Sequence, residues 1–408
     1  MPCKMKVPTR ISWGFILISM VLSAVVWYPA LGQTGEERDQ HFYRLSTMHG
    51  EFLPENTPFF NSRDDEGDPF RFTQSYAFEF GWQTNGRHLW HEANNYPRYG
   101  IGLHYMRVLR RNELGHPIAF YGFVGGNLIR WDFLQVNTYA SLGMATGMKY
   151  WDPKAPLPND IFATPVNVFC ELGSGLSLRL RKHLWIEPGI RLTHISNGNT
   201  REPQKGVNVF GYRLGLRWVP GDEVFAKRNL KDLKKPDVPK NELFGFMGIT
   251  TRQVEFNASN DDWPPETYGW NFLMLNVFAG YNRVVDHRFK YGAGLDFFYD
   301  GTNGIKAAVL EGRVEKNAIP FEDKLGTSVF LTGENSIDRL SIYMGLGYIL
   351  LRKQYFKSTP RLEQRLGVKY HLSDHLFVGL NVRAYNFSAA KALELNVGYR
   401  CFPKGEEN

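Results

Sequence analysis

Leu184-Trp185-Ile186-Glu187-Pro188-Gly189-Ile190-Arg191-Leu192-Thr193-His194-Ile195-Ser196 alternates between two chemistries, residue by residue. Leu184, Ile186, Pro188, Ile190 and Leu192 share a face that stays apolar until His194 and Ser196 close it. Trp185, Glu187, Gly189, Arg191, Thr193 and Ile195 share the other, which holds the charges. A period of two marks a β-strand, whose successive side chains point to opposite faces. The preceding stretch repeats the pattern, with Val166, Val168, Cys170, Leu172, Leu176, Leu178 and Leu180 against Asn167, Glu171, Ser177 and Arg179. So does the following one, with Asn208, Phe210, Tyr212, Leu214, Leu216 and Trp218 against Arg213 and Arg217. A transmembrane barrel turns the apolar face out to lipid and lines its interior with the polar one. Three successive long strands with this chemistry fit a soluble sandwich poorly. They predict an all-β, transmembrane antiparallel β-barrel.

Counting outward from this stretch gives about eight strands between His41 and Trp218, each long enough for a tilted span. The chain then repeats itself. Tyr99-Gly100-Ile101-Gly102-Leu103 matches Tyr291-Gly292-Ala293-Gly294-Leu295, and His183–Ser196 aligns without gaps to His375–Ser388, both at an offset of 192. Gly211-Tyr212-Arg213 recurs as Gly398-Tyr399-Arg400. Two tandem barrels of about eight strands fit this duplication, and one barrel of about sixteen is the alternative. Periplasmic turns within a barrel are usually short, so the polar connection 219–242, with Pro220, Lys234, Lys235, Pro236 and Pro239, favours two. The expected units are 33–218, a polar periplasmic linker at 219–242, a second barrel at 243–402 and a tail at 403–408.

Residues 1–32 read as a cleaved secretory signal: Lys4, Lys6 and Arg10 precede an apolar run from Trp13 to Trp27, then Ala30-Leu31-Gly32 before Gln33. The aromatic fraction of 15% suits a barrel that needs ring-rich lipid contacts. A net charge of +7 could suggest nucleic acid. The basic residues are scattered, however, and cluster only at Lys227 to Lys240, which reads as a solvated linker, so no nucleic-acid partner is expected. Cys170 and Cys401 fall in no CxxC or Cys/His cluster, and no metal site is expected.

The chemistry concentrates in Thr193-His194-Ile195-Ser196-Asn197-Gly198-Asn199. His194 and Ser196, two apart on a strand, project from one face, so the imidazole can take the serine proton as the hydroxyl attacks an acyl carbon. A third group must hold the ring by accepting its other N–H. Asn208 opens the next strand on the same face, where an antiparallel hairpin brings it beside His194. Glu171 and Glu187 alternate onto the interior; Glu202, in the connecting loop, is the rival acid. The backbone amides of Asn197 and Gly198, or the Asn197 side chain, are the candidate oxyanion donors. The alternative is that these are ordinary rim residues near the headgroups. Against it, His194, Ser196, Asn197 and Asn208 interrupt the apolar stripe together.

The run His194-x-Ser196-Asn197, followed by Pro203-x-x-Gly206, resembles the lipid A 3-O-deacylases over roughly residues 40–220. The resemblance implies an eight-stranded outer-membrane barrel that removes an ester-linked acyl chain from lipopolysaccharide with a Ser–His–Glu triad. The chain departs from that family where Asn208 stands for the Glu and Gln204 for an Asn. His194-x-Ser196-Asn197-Gly198 with Asn208 also resembles outer-membrane phospholipase A, which uses Ser–His–Asn in a twelve-stranded, calcium-dependent dimer. No cofactor is expected, calcium entering only under that second resemblance. The expected partner is lipid A in the outer leaflet of a Gram-negative outer membrane. A non-catalytic structural or transport barrel is the remaining alternative. In the second half the same offset sets Asn386 and Ser388 against His194 and Ser196, and the Gly-Tyr-Arg match sets Leu395 against Asn208, so that half is expected to be inert as a hydrolase.

Overall fold

The protein is seen as a computed structural model that describes residues 39–53, 71–108, 114–151, 161–202, 204–221, 239–254, 269–286, 288–357, 360–386 and 390–403. The leader at 1–32, most of the 219–242 connection, Pro203, Ser388 and most of the tail lie outside these residues.

Sixteen strands form two closed antiparallel barrels. The first comprises β1 Gln40–Phe52, β2 Phe72–Gln83, β3 Arg98–Val108, β4 Gly115–Arg130, β5 Leu134–Met148, β6 Asn167–Arg181, β7 Leu184–Ser196 and β8 Val207–Trp218, closed by β8 pairing with β1. The second comprises β9 Asn241–Gln253, β10 Asn271–Val284, β11 Phe289–Asp300, β12 Leu325–Ile337, β13 Leu340–Arg352, β14 Leu362–His371, β15 Leu376–Tyr385 and β16 Ala390–Cys401, closed by β16 pairing with β9. The tandem arrangement is therefore correct, and the single barrel of about sixteen strands is not formed. Closure leaves neither sheet with an unpaired edge. Two short helices, α1 Leu89–Ala93 and α2 Ile305–Leu310, sit in connections, and no described helix is long and apolar enough to cross a membrane.

The alternation sorts the side chains as the sequence requires. Leu172, Ile190, Tyr212 and Leu214 face outward and are exposed, while Trp185, Glu187, Arg191 and Arg217 are buried inside. A continuous outer belt of bare leucine, phenylalanine and tyrosine would be a liability in water, and faces lipid.

Each interior is filled with paired charge. Glu187 accepts from Arg98 and Arg217 at 2.8 Å, from Arg44 at 3.1 Å and from the Ser177 hydroxyl at 2.8 Å. Glu79 binds Arg44, Arg213 and the hydroxyls of Tyr121 and Tyr139. The second interior does the same with other residues: Glu334 takes Lys369 at 2.7 Å and Lys290 at 3.0 Å, and Asp296 takes Arg365 at 2.5 Å. Unpaired, each of these ions would cost several kcal/mol (about 3–5) to keep buried, so the pairs act as sets.

The two barrels stand side by side in the same sense. Leu380 and Leu393 of the second pack on Val168 of the first, with Leu142, Met144 and Cys170 around them. At one rim the Glu202 N–H donates to Gln253 Oε1 at 2.9 Å, and at the other Arg288 donates to the Ala93 carbonyl at 2.7 Å. The connections at the Arg288 rim include the short turns 131–133, 182–183, 338–339 and 372–375, beside the longer 84–97 and the link 219–240 between the barrels; those at the Gln253 rim include 53–71, 149–166, 254–270 and 301–324. Barrels keep short turns in the periplasm and long loops outside, so the Gln253 rim is extracellular.

Candidate active site

The site is built from rows of outward side chains that run across three neighbouring strands near the extracellular rim. In one row Cys170 of β6, His194 of β7 and Asn208 of β8 are direct cross-strand partners. The row above sets Val168 opposite Ser196, and the row below sets Leu172, Leu192 and Phe210 together. Cross-strand partners on one face hold their Cβ atoms about 5 Å apart, close enough for a ring to bridge them.

His194 bridges both directions. Its Nδ1 lies 2.8 Å from Asn208 Oδ1, and its Nε2 lies 2.8 Å from Ser196 Oγ. With the amide oxygen turned to the ring, Nδ1 carries the proton and donates it to Asn208. Nε2 is then left as the acceptor for the serine hydroxyl, the tautomer a general base needs.

Beyond Ser196 the chain leaves the sheet in a tight loop. Gly198 has φ +63° and its N–H donates to Ser196 Oγ at 3.4 Å. The Asn197 side chain donates to the Arg201 carbonyl at 2.9 Å, and the Asn197 carbonyl receives the Thr200 hydroxyl at 3.1 Å. Asn197 Oδ1 is buried without a hydrogen-bond partner. The loop returns at Gly206, φ +70°, where a Cβ would fall 2.8 Å from the Ser196 Cβ. Only glycine lets the returning chain lie so close to the serine. Ser196 is thereby buried to 7% exposure on a face that otherwise meets lipid.

The six residues singled out from the sequence are not all brought together. His194, Ser196 and Asn208 form one hydrogen-bonded line, with Gly198 at its serine end. Glu202 stands apart: its carboxylate accepts the Gln204 N–H at 3.0 Å, within its own loop. Among the described residues no group of three His, Cys, Asp or Glu is placed to hold a metal ion. Two features escaped the sequence reading. Cys170, free, flanks the imidazole on the β6 side, and Leu393 of the second barrel abuts Gly198. Cys170 could have been found from hairpin register; nothing in the sequence marks Leu393.

The second barrel carries no counterpart of this line among its described residues. β15 ends at Tyr385, so Asn386, set against His194 by the repeat, lies past the strand with φ +50°. Leu395, set against Asn208, pairs with Leu380 instead. The connection between β15 and β16 is shorter than that between β7 and β8, and the two matched residues no longer share a row.

Residues 76–217 match the family model described as lipid A 3-O-deacylase (PagL), and residues 241–404 match the model described as acyloxyacyl hydrolase, C-terminal domain. By these two matches, which together take in most of the chain, the first barrel is assigned to the lipid A 3-O-deacylase family and the second to the acyloxyacyl hydrolase C-terminal domain. The first match runs from within β2 into β8 and includes the whole hydrogen-bonded line, and the second covers all of β9 to β16. Among solved structures, the outer membrane enzyme PagL aligns at 13% identity over 42% of this chain and 97% of its own, with a TM-score of 0.29. Neisserial surface protein A aligns at 9% identity over 44% and 96%, also at 0.29. No curated protein matches the chain. Two closed barrels belted by lipid-facing side chains, together with the deacylase match, place the protein in the outer membrane of a Gram-negative bacterium.

Proposed function

We propose that the protein is a serine esterase that removes an ester-linked acyl chain from lipid A, with Ser196 as nucleophile, His194 as general base and Asn208 as the residue that orients the ring. The observation that carries this reading is the continuous line from Asn208 Oδ1 through both imidazole nitrogens to Ser196 Oγ, at 2.8 Å for each link, on the outer face near the extracellular rim. That height is where the ester groups of an outer-leaflet lipid lie, with the apolar row Leu172, Leu192 and Phe210 beneath it to receive the chain.

In the first step Ser196 Oγ bonds to the ester carbon as its proton passes to His194 Nε2. Charge collects on the former carbonyl oxygen, where the Gly198 N–H donates, joined by the Asn197 N–H. The imidazolium keeps its Nδ1–H on Asn208 Oδ1 throughout. Collapse breaks the bond to the sugar oxygen, which leaves with the proton from Nε2. A water then repeats the sequence: it gives its proton to Nε2, attacks the acyl carbon and frees the fatty acid as Ser196 recovers its proton.

Asn208 gives specific support to a second substrate class, since a Ser–His–Asn line also serves hydrolysis of phospholipid esters. One experiment separates the two. The purified protein is placed in vesicles that contain both lipopolysaccharide and phospholipid, and products are read by mass spectrometry. Acyl loss from lipid A alone supports the proposal, and lysophospholipid alone supports the second class. Ser196→Ala should reduce release by about 10⁴-fold or more while the barrel stays folded, as loss of the nucleophile does in serine hydrolases. An active wild type with an equally active Ser196→Ala would remove the assignment at this serine.

A further inference from the structure

We propose that the second barrel supplies one wall of the acyl site and that Leu393 selects the acyl chain presented to Ser196. This rests on the hydrolase reading above.

Three observations carry it. First, the outer face of β6 changes abruptly in exposure. Leu172 is 52% exposed, whereas Val168, one row above the imidazole and opposite Ser196, is 5% exposed. An outward valine at the lipid belt is buried only if something stands on it, and Leu380 and Leu393 of the second barrel do. Second, Leu393 touches the loop that faces the reacting oxygen. A Cβ at Gly198 would fall 2.6 Å from the Leu393 Cβ, and the N–H of that same glycine donates to Ser196 Oγ. Third, the wall is fixed at both rims, by the Glu202 N–H on Gln253 outside and by Arg288 on the Ala93 carbonyl inside.

The chemistry follows from the shape. An acyl chain whose carbonyl sits at Ser196 must run down the face toward the membrane centre, because its tail is apolar. Leu192 and Phe210, 40% and 37% exposed, offer it one side, and Leu393 with Leu395 borders the other. The side chain at 393 thus sets the clearance where the first carbons leave the ester. It carries no proton and contacts no reacting atom, so its effect falls on which chain is accepted. It is a specificity residue.

The test uses the full chain in vesicles that hold lipopolysaccharide of mixed acylation. Mass spectrometry reads both the rate of release and the ratio among released chains. Leu393→Ala should shift that ratio by about tenfold toward bulkier chains, the range a changed methylene contact commands in an apolar pocket. Leu393→Trp should narrow the gap and slow release of the chain preferred by wild type. Leu331→Ala is the control: Leu331 is 66% exposed on β12, away from the seam. It should match wild type in ratio and rate. Retained heat-modifiability shows that the barrels are folded, and if Leu393→Trp fails that check the alanine variant decides. Leu393→Ala with the product ratio of Leu331→Ala, in an active protein, overturns the wall alone. A wild type that releases no acyl chain overturns the hydrolase reading and the wall with it.

Discussion

At the outer end of β7 and β8 the first barrel turns Ser196, His194 and Asn208 toward lipid, where the corresponding strands of the second, β15 and β16, present Leu380, Leu393 and Leu395. Inside, the two are alike, each filled by buried carboxylates that gather several cations. Both interiors thus rely on buried ion pairs, although at the offset of 192 Glu187 falls on Gly379 and Glu334 on Leu142, and the outer patches differ. The chemistry can be added or lost on the outer face because that face takes no part in the ion pairs that hold the barrel. One copy holds the polar line, and the other has become an apolar partner surface pressed against it.

The sharpest way to break this comparison is at the base. His194→Ala should abolish acyl release to about the same degree as Ser196→Ala, and the double variant should lose no more, because members of such a set fail as a unit. Kinetics on lipopolysaccharide vesicles would show it. Losses that multiply would mean that the two side chains act separately, and the patch on β7 would lose its special standing over that on β15.

The interiors come next. Glu187→Leu takes the carboxylate from Arg98 and Arg217 and leaves Arg44 with Glu79 alone, and Glu334→Leu takes it from Lys369 and leaves Lys290 with Glu242 alone. Each should cost about 3–5 kcal/mol of stability, the usual consequence of removing one side of a buried pair. Urea unfolding in lipid vesicles, followed by tryptophan fluorescence, measures both. A large loss for one barrel and none for the other would show that the interiors are not the equivalent devices their ion pairs suggest.

Much of this was legible in the sequence, for definite reasons. Strict alternation from Leu184 to Ser196 sets the faces, and a buried Glu187 with an exposed Leu192 follows from it directly. The offset of 192 announces two units, and β3 and β7 recur as β11 and β15. The line of His194, Ser196 and Asn208 is legible because a hairpin makes the register of neighbouring strands a matter of counting. Leu393 was not legible, since a leucine that faces lipid and one that faces another barrel are the same residue in the same pattern. Nor was the fate of Asn386: alignment by offset ignores that β15 stops at Tyr385.

The smallest expected effects concern the third member of the line, and they decide which residue orients the ring. Asn208→Ala removes the acceptor from Nδ1, so the ring loses its enforced tautomer but keeps its place beside Ser196. The loss should be roughly two orders of magnitude smaller than for Ser196→Ala, as it is for the orienting member in a serine protease. Glu202→Gln should change activity little, because the Glu202 carboxylate accepts the Gln204 N–H and leaves Nδ1 to Asn208. If Glu202→Gln instead cripples release and Asn208→Ala does not, the loop acid is the orienter. Asn208→Glu then tests the amide itself. A carboxylate in the same row accepts the same N–H and adds a charge that favours the imidazolium formed as Ser196 attacks. The rate should hold or rise, by about tenfold at most, since the tautomer is already correct in the wild type. A fall in rate would mean that the site is built for a neutral partner, where a carboxylate next to Leu172, Leu192 and Phe210 is too poorly solvated to serve.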